Sequence, residues 1–424
     1  MHIFFDILYL LAAIIYLPSF ILKGKHRVGF KERLGIFKPG TIQAIKNANK
    51  HKPIIWVHAV SVGEIKAAAV LIDKLRNEFK NYTLLISTIT PTGNQVSRQI
   101  AEKEDIIIYF PFDLSFIVEK VLALINPQAL LVMETELWPN IIPAAAKRKT
   151  PVIIINGRIS DKAYPDYKRA KFLFRPVLNK INLFCMQTEI DKQRIINLGA
   201  RAEKVNVIGN LKFDQIRPSQ NSNPPKLGLN LNERLIVAGS THYPEEEILL
   251  RVFLKLKKHY SNIRLLIAPR HVHRTGNIQN MLKQEKIKCQ LISQLNNPPG
   301  SDAIFVLDVM GGLDQIYKLA DIVFVGGSLA KHGGQNPIEP AMFGKPIIFG
   351  KHMFNFSKIT EMFLSNQAAV CVEDEGGLYE ILMELLNHPD KIKILSRNAE
   401  ALIKKNQGAA QKAIDLLKIH KILK

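Results

Sequence analysis

The chain predicts an α/β protein of two Rossmann-like domains, each a parallel sheet wrapped by helices. Its 424 residues are more than one compact core accommodates. Short, continuously apolar, β-branched runs recur with helix-length segments between them. Continuous rather than alternating hydrophobicity marks strands buried on both faces, hence parallel pairing. A polar stretch carrying Pro218, Pro224 and Pro225 then divides the series in two.

The first element is an apolar segment, Ile3 to Leu22, broken only by Asp6 and followed by Lys23, Lys25, Arg27, Lys31 and Arg33. About twenty such residues are enough to span a bilayer. Basic residues after the segment and none before it leave the remainder in the cytoplasm, and no cleavage pattern of a secretory signal follows. Asp6 and Pro18 keep a second option open, a helix lying in the interface. Residues 1–22 are thus expected as an N-terminal membrane-anchor helix. Residues 23–212 form the first domain, with strands expected at Ile54–Ala59, Thr83–Thr88, Asp105–Phe110, Ala129–Met133, Val152–Asn156, Leu183–Thr188 and Val205–Gly209. A linker follows over 213–230. The second domain, 231–400, has runs at Leu235–Gly239, Arg264–Ala268, Ala303–Leu307, Ile322–Val325, Pro346–Phe349 and Ala368–Val372. The last stretch, 401–424, reads as a basic amphipathic helix that docks back on the first domain or lies on anionic lipid. Two such domains are expected to face a cleft at the carboxyl ends of their strands.

The formal charge of +21 implies an anionic partner: nucleic acid, an acidic membrane or a phosphorylated substrate. The basic residues are dispersed and form no nucleic-acid-binding motif, so nucleic acid is excluded. Cys185, Cys289 and Cys371 lie far apart and support neither a disulfide framework nor a zinc site. No D-x-D and no histidine ligand spacing is present, so neither a metal nor another cofactor is expected.

The glycine-rich stretch Asp321–Gly350 has two apolar strands flanking a turn and a brief helix, the build of a nucleotide-sugar site. Asn336 and Pro337 open that helix, with Ile338 and Glu339 on its first turn. A carboxylate at Glu339 suits the two hydroxyls of a ribose; a plain strand-to-helix connection is the alternative. Ser240 and Thr241, in GSTHYPEEE, offer donors beside a helix start, or simply cap it. Pro269 and Arg270 end a strand, where the guanidinium either pairs with a phosphate or is a surface charge. Met310, Gly311 and Gly312 supply another glycine turn. In the first domain, Glu64 of WVHAVSVGE lies just past a strand. Ser61 to Glu64 fits a capping box, while a carboxylate at a strand's carboxyl end equally suits a general base. Glu134 and Glu136 of METELWPN lie at another strand end. Lys212 of GNLKFD lies where the first sheet finishes, placed to balance an acidic sugar or phosphate.

The ordered set WVHAVSVGE, METELWPN, NGRIS, GNLKFD, AGSTHYPEEE, APRH and VGGSLAKHGGQNPIEPAMFGKPIIFG resembles the 3-deoxy-D-manno-octulosonic acid (Kdo) transferases of lipid A assembly, over nearly the whole chain. The resemblance implies a GT-B fold, a CMP-Kdo donor, a lipid A precursor with two phosphates as acceptor, and a place on the cytoplasmic face of a Gram-negative inner membrane. It makes Glu64 the catalytic base and gives Glu134 and Lys212 transition-state stabilisation. Pro269, Arg270, Met310, Gly311, Gly312, Asn336, Pro337, Ile338 and Glu339 fall on CMP-binding segments. Lys168, Arg169, Lys171, Phe172, Phe174 and Arg175 are expected to meet anionic lipid or to form an ordinary amphipathic helix. A sugar-nucleotide 2-epimerase of the same architecture is the rival enzyme, and a tethered sugar-nucleotide binding protein the non-catalytic one.

Overall fold

The computed structural model describes residues 4–11, 28–214, 224–295 and 303–423. The chain divides into two compact units, residues 1–215 with 407–424 and residues 216–406.

The first unit holds a seven-stranded sheet of β1 (Ile54–His58), β2 (Thr83–Thr88), β3 (Ile106–Tyr109), β4 (Ala129–Met133), β5 (Val152–Gly157), β6 (Leu183–Met186) and β7 (Val205–Val207). All pairings are parallel, in the order β3-β2-β1-β4-β5-β6-β7. Side chains along a strand point alternately to opposite faces. Here both faces are apolar: Ile54, Trp56, Leu130, Val132, Val152 and Ile154 enter one core, while Ile55, Val57, Leu131, Met133, Ile153 and Ile155 enter the other. That two-sided burial explains why the strands read as unbroken apolar runs.

The second unit repeats the plan with β8 (Arg234–Thr241), β9 (Ile263–Pro269), β10 (Cys289–Leu291), β11 (Ile304–Val306), β12 (Ile322–Val325), β13 (Ile347–Gly350) and β14 (Val370–Val372). Their order is β10-β11-β9-β8-β12-β13-β14, again parallel. Strand β10 is absent from the sequence expectation. It is a three-residue edge strand, half-exposed throughout, so its sequence carries no apolar run.

The helix Ala409–Ile419 packs on the first unit. Ala409, Ala410, Ala413, Ile414 and Leu417 share a core with Ile65, Ala68 and Ile72 of the helix Val62–Glu78. Half of the linker expected over 213–230, residues 215–223, lies outside the described residues.

The N-terminal anchor expected over residues 1–22 is only partly described. Residues 12–22 lie outside the described residues, and among the described residues no helix is long and apolar enough to cross a membrane. Residues 4–11 are helical and held to the first unit, with Phe5 buried. Asp6, the charge that interrupted the apolar run, accepts hydrogen bonds from the Ser115 amide at 2.9 Å and from Asn140 Nδ2 at 3.0 Å. A carboxylate at the start of the helix Ser115–Ile125 satisfies an amide that the helix itself leaves unpaired.

Candidate active site

In a doubly wound sheet the ligand crevice lies outside the carboxyl ends of the strands where the order reverses. In the first sheet that point lies between β1 and β4. Glu64 follows β1 and Glu134 and Glu136 follow β4, so topology gathers three carboxylates there. Glu64 sits on the first turn of the helix Val62–Glu78. Its Oε2 accepts from the Val60 amide at 2.8 Å, its Oε1 from Ser61 Oγ at 2.9 Å, and Ser61 Oγ accepts in turn from the Glu64 amide. The capping arrangement is therefore realised. Burial pushes the Glu64 carboxyl up against the opposing pull of the Val60 amide, and Glu134 adds to the rise. Glu136 is pushed up to about 7, first by burial and then by Glu64 and Glu134.

Glu134 has φ +56° and its amide donates to the Ile155 carbonyl at 2.8 Å. Asn156, at the end of β5, has φ +59°. Left-handed backbone at a residue other than glycine costs on the order of 1–3 kcal/mol and gathers at functional sites. Thr135 Oγ1 donates to the Arg158 carbonyl and accepts from the Arg158 amide, tying the two strand ends together. Asn156 Oδ1 accepts from the Leu211 amide at 3.0 Å and so anchors the turn Leu211–Phe213, which carries Lys212. Burial lowers the Lys212 ammonium's pKa, while Glu134 and Glu64 oppose the loss of its charge and Arg158 favours it. Sequence reasoning joined Glu64, Glu134 and Lys212 and missed Asn156. Its signal was the Asn-Gly pair closing an apolar strand.

Beneath this cluster His58 stacks on Phe110 at a centroid distance of 3.7 Å, and burial drops its pKa to about 3. It is a neutral core residue at working pH.

In the second sheet the order reverses between β8 and β12. Ser240 lies at the end of β8 with φ +57°, beside a register shift in the β8–β9 pairing. Two sets of polar groups here are committed within the fold. Thr241 is fully buried and its hydroxyl donates to Glu246 Oε1 at 3.1 Å, so that hydroxyl is turned away from any phosphate. The amides of the glycine loop after β12 are also taken. The buried Glu245 carboxylate accepts from Gly327 at 2.6 Å, Ser328 at 2.8 Å and Leu329 at 2.9 Å, and from His242 at 2.9 Å. Glu245 does the anion's part within the fold, because a glycine-rich loop entering a core must have its N–H groups paired. Gly326 is required for steric reasons: a Cβ there would stand 2.5 Å from the Ser240 carbonyl oxygen.

Met310, Gly311 and Gly312 form an exposed turn after β11, the two glycines at φ +85° and +78°, and Gly312 caps the helix Leu313–Leu319. Arg270 is exposed and its amide donates to the Thr241 carbonyl; Pro269 is buried in β9. Asn336 Oδ1 accepts from the Ile338 amide, and Asn336 Nδ2 donates to Glu339 Oε1 at 3.3 Å. Pro337 caps the helix Ile338–Ala341, Glu339 lies on its first turn, and Ile338 is fully buried. The structure also stacks His242 on His332 at 4.2 Å with His271 edge-on at 5.6 Å, a grouping that linear spacing did not show.

Parallel sheets, carboxylates at one switch point and exposed glycine turns in the other unit are the build of a doubly wound ligand-binding enzyme. Residues 28–215 match the family described as 3-Deoxy-D-manno-octulosonic-acid transferase (kdotransferase). The 3-deoxy-D-manno-octulosonic acid transferase of Haemophilus influenzae is 34% identical over 382 residues, 86% of each chain. The bifunctional glycosyltransferase/methyltransferase of Fusobacterium nucleatum is 38% identical over 358 residues, 82% of this chain; the chain spans 55% of that protein's length. Among solved structures, a putative UDP-N-acetylglucosamine 2-epimerase from Listeria monocytogenes aligns over 87% of this chain and 96% of its own at TM-score 0.58 and 14% identity. A glycosyltransferase from Rickettsia africae aligns over 87% and 98% at TM-score 0.55 and 15% identity. Those two likenesses show the fold alone. The sequence relationship shows the family: the chain belongs to the Kdo transferases and is a glycosyltransferase.

Proposed function

We propose that the chain transfers Kdo from CMP-Kdo to the lipid A precursor, tetraacyldisaccharide 1,4'-bisphosphate (lipid IVA), in lipopolysaccharide inner-core assembly, as a GT-B enzyme acting with inversion and without a metal. The observation that carries this reading is the cluster of Glu64, Glu134 and Glu136 at the first switch point, in a chain of this family.

Glu64 takes the proton of the primary hydroxyl on the distal glucosamine as that oxygen attacks the anomeric carbon of Kdo. The bond from that carbon to the CMP phosphate oxygen breaks, and its electron pair leaves with CMP. A carboxyl pushed upward by burial is a stronger proton acceptor while ionised, which suits it to this step. Lys212 offsets the Kdo carboxylate, and Glu134 supports the positive charge of an oxocarbenium-like transition state. On the donor side, the Gly311 and Gly312 amides with Arg270 and Ser240 receive the phosphate, and Asn336 with Glu339 holds the ribose. Thr241, Pro269, Pro337 and Ile338 shape these segments from the core, and exposed Met310 covers the base.

We place the enzyme on the cytoplasmic face of a Gram-negative inner membrane, held there by its N-terminal segment. Phe4, Ile7, Leu8 and Leu11 leave an apolar exposed surface, and Phe172 is exposed beside Lys168 and Arg169. Retained liposome binding after Lys168→Glu and Arg169→Glu would count against that second contact.

The test of function is incubation of the purified protein with CMP-Kdo, generated in situ, and the tetraacylated bisphosphate in detergent, reading the acceptor's mass. A gain of one or more Kdo units is expected. An unchanged acceptor with folded protein refutes the proposal, and conversion of a nucleotide sugar alone would favour the epimerase.

A further inference from the structure

We propose that Tyr9 is an acceptor-binding residue: its phenol hydrogen-bonds a sugar hydroxyl of the acceptor beside Glu136, so the N-terminal helical segment forms one wall of the acceptor site. The inference rests on the transfer reading above.

The segment's placement is fixed by a polar node. Asp113 accepts from the amides of Asn140 and Ile141 at 2.9 and 2.8 Å, and its carbonyl accepts from Asn140 Nδ2. Asn140 Nδ2 also reaches Asp6, which accepts from the amide and hydroxyl of Ser115 as well. One carboxylate thus joins residues 4–11 to the starts of two helices, Ser115–Ile125 and Ile141–Lys147. On a helix, residues three and four apart share a face. Phe5, Asp6 and Tyr9 therefore turn toward the unit, while Phe4, Ile7, Leu8 and Leu11 stay exposed on the far side.

From that position Tyr9 lies within electrostatic reach of both Asp113 and Glu136. Glu136 is in turn within reach of Glu64 and Glu134, and Tyr167 approaches Glu136 from the helix Tyr164–Arg169. Tyr9 of the N-terminal segment is thus within electrostatic reach of a member of the carboxylate cluster. A membrane tether needs only the exposed apolar face. It needs neither a carboxylate latched to two helix starts nor a phenol within electrostatic reach of Asp113 and Glu136. The surrounding charge also says what Tyr9 meets. Two carboxylates, Asp113 and Glu136, disfavour an anion at that spot. The matching group is a neutral sugar hydroxyl, which donates to a carboxylate and accepts from the phenol. Placing this contact on the lipid-facing segment lets the acceptor's sugar reach Glu64 while its acyl chains stay with the apolar side chains.

The test uses full-length protein in detergent. Tyr9→Phe keeps the ring's packing and removes one hydrogen bond. Acceptor KM should rise roughly 3- to 10-fold, with kcat, donor KM, melting temperature and vesicle co-sedimentation unchanged. Asp6→Asn, which weakens the latch, should raise acceptor KM in the same direction. An acceptor KM for Tyr9→Phe within about twofold of wild type, or an equal rise in donor KM, overturns the proposal, since a single lost contact is worth more than that. If wild type itself fails to transfer, the transfer reading falls separately. Calorimetric titration with the tetraacyl disaccharide bisphosphate then decides Tyr9, because an equal Kd for both proteins would refute the contact without any turnover.

Discussion

The proton on Glu136 gives the sharpest physical test of the carboxylate cluster. Its carboxyl rises from an ordinary 4.5 to about 7 in the folded chain. Below about pH 4.5 it is protonated in both folded and unfolded chains and contributes nothing. As pH climbs toward 7 the unfolded chain releases this proton while the folded chain keeps it, so unfolding gains and stability falls. Above about pH 7 the carboxyl is ionised in both states and the full penalty persists. At about 1.4 kcal/mol for each pH unit separating the two values, the penalty is about 3 kcal/mol. Glu136→Gln keeps the shape and removes the charge, and it also relieves Glu64. The variant should match wild type near pH 4.5 and exceed it by about 3 kcal/mol at pH 8. Both tryptophans, Trp56 and Trp138, lie in the first unit, so urea unfolding followed by tryptophan fluorescence reads that unit directly. Parallel stability curves for the two proteins from pH 4.5 to 8 would refute the reasoning, because no group would then be holding a proton against the solvent.

Glu64→Gln should lower kcat by about 10²- to 10⁴-fold with little change in circular dichroism, the usual contribution of a general base; a rate above half of wild type removes Glu64 from that role. Glu245→Gln turns an NH₂ group onto amides that already donate, and should destabilise the second unit by about 3 kcal/mol. Hydrogen exchange at Gly327, Ser328 and Leu329 should accelerate, and unchanged protection there contradicts the assignment. Gly326→Ala forces a Cβ against the Ser240 carbonyl and the Thr241 Cα, an overpacking cost of about 1–3 kcal/mol that a thermal melt would show. Transfer should persist in excess EDTA, and its complete loss with rescue by a divalent cation would overturn the metal-free mechanism.

Most strands were legible because burial on both faces writes them as apolar runs. Thr83–Thr88, Ala129–Met133 and Ile322–Val325 match residue for residue. Strand β10 was not, since an exposed edge asks nothing of its side chains. Acids and a lysine at strand ends could be picked from the first unit's sequence. In the second unit, what the sequence hid is that the partner of a glycine loop's amides is another part of the fold. Linear sequence does not say that Glu245 reaches the amides of Gly327 to Leu329, some eighty positions away, nor that Thr241 answers to Glu246. The role of Asp6 was hidden for the same reason: its partners, Ser115 and Asn140, stand more than a hundred residues downstream.

The helix Ala409–Ile419 has a consequence for biosynthesis. Asp214, two residues beyond Lys212, accepts from the amides of Gly408 and Ala410, both at 2.7 Å, and the helix's apolar face closes over the helix Val62–Glu78. The ribosome delivers that helix only after every residue of the second unit has been made. The unit that emerges first is therefore finished last, and until then it carries an uncovered greasy flank. A nascent chain paused within residues 216–406 is where a holding chaperone would find its client.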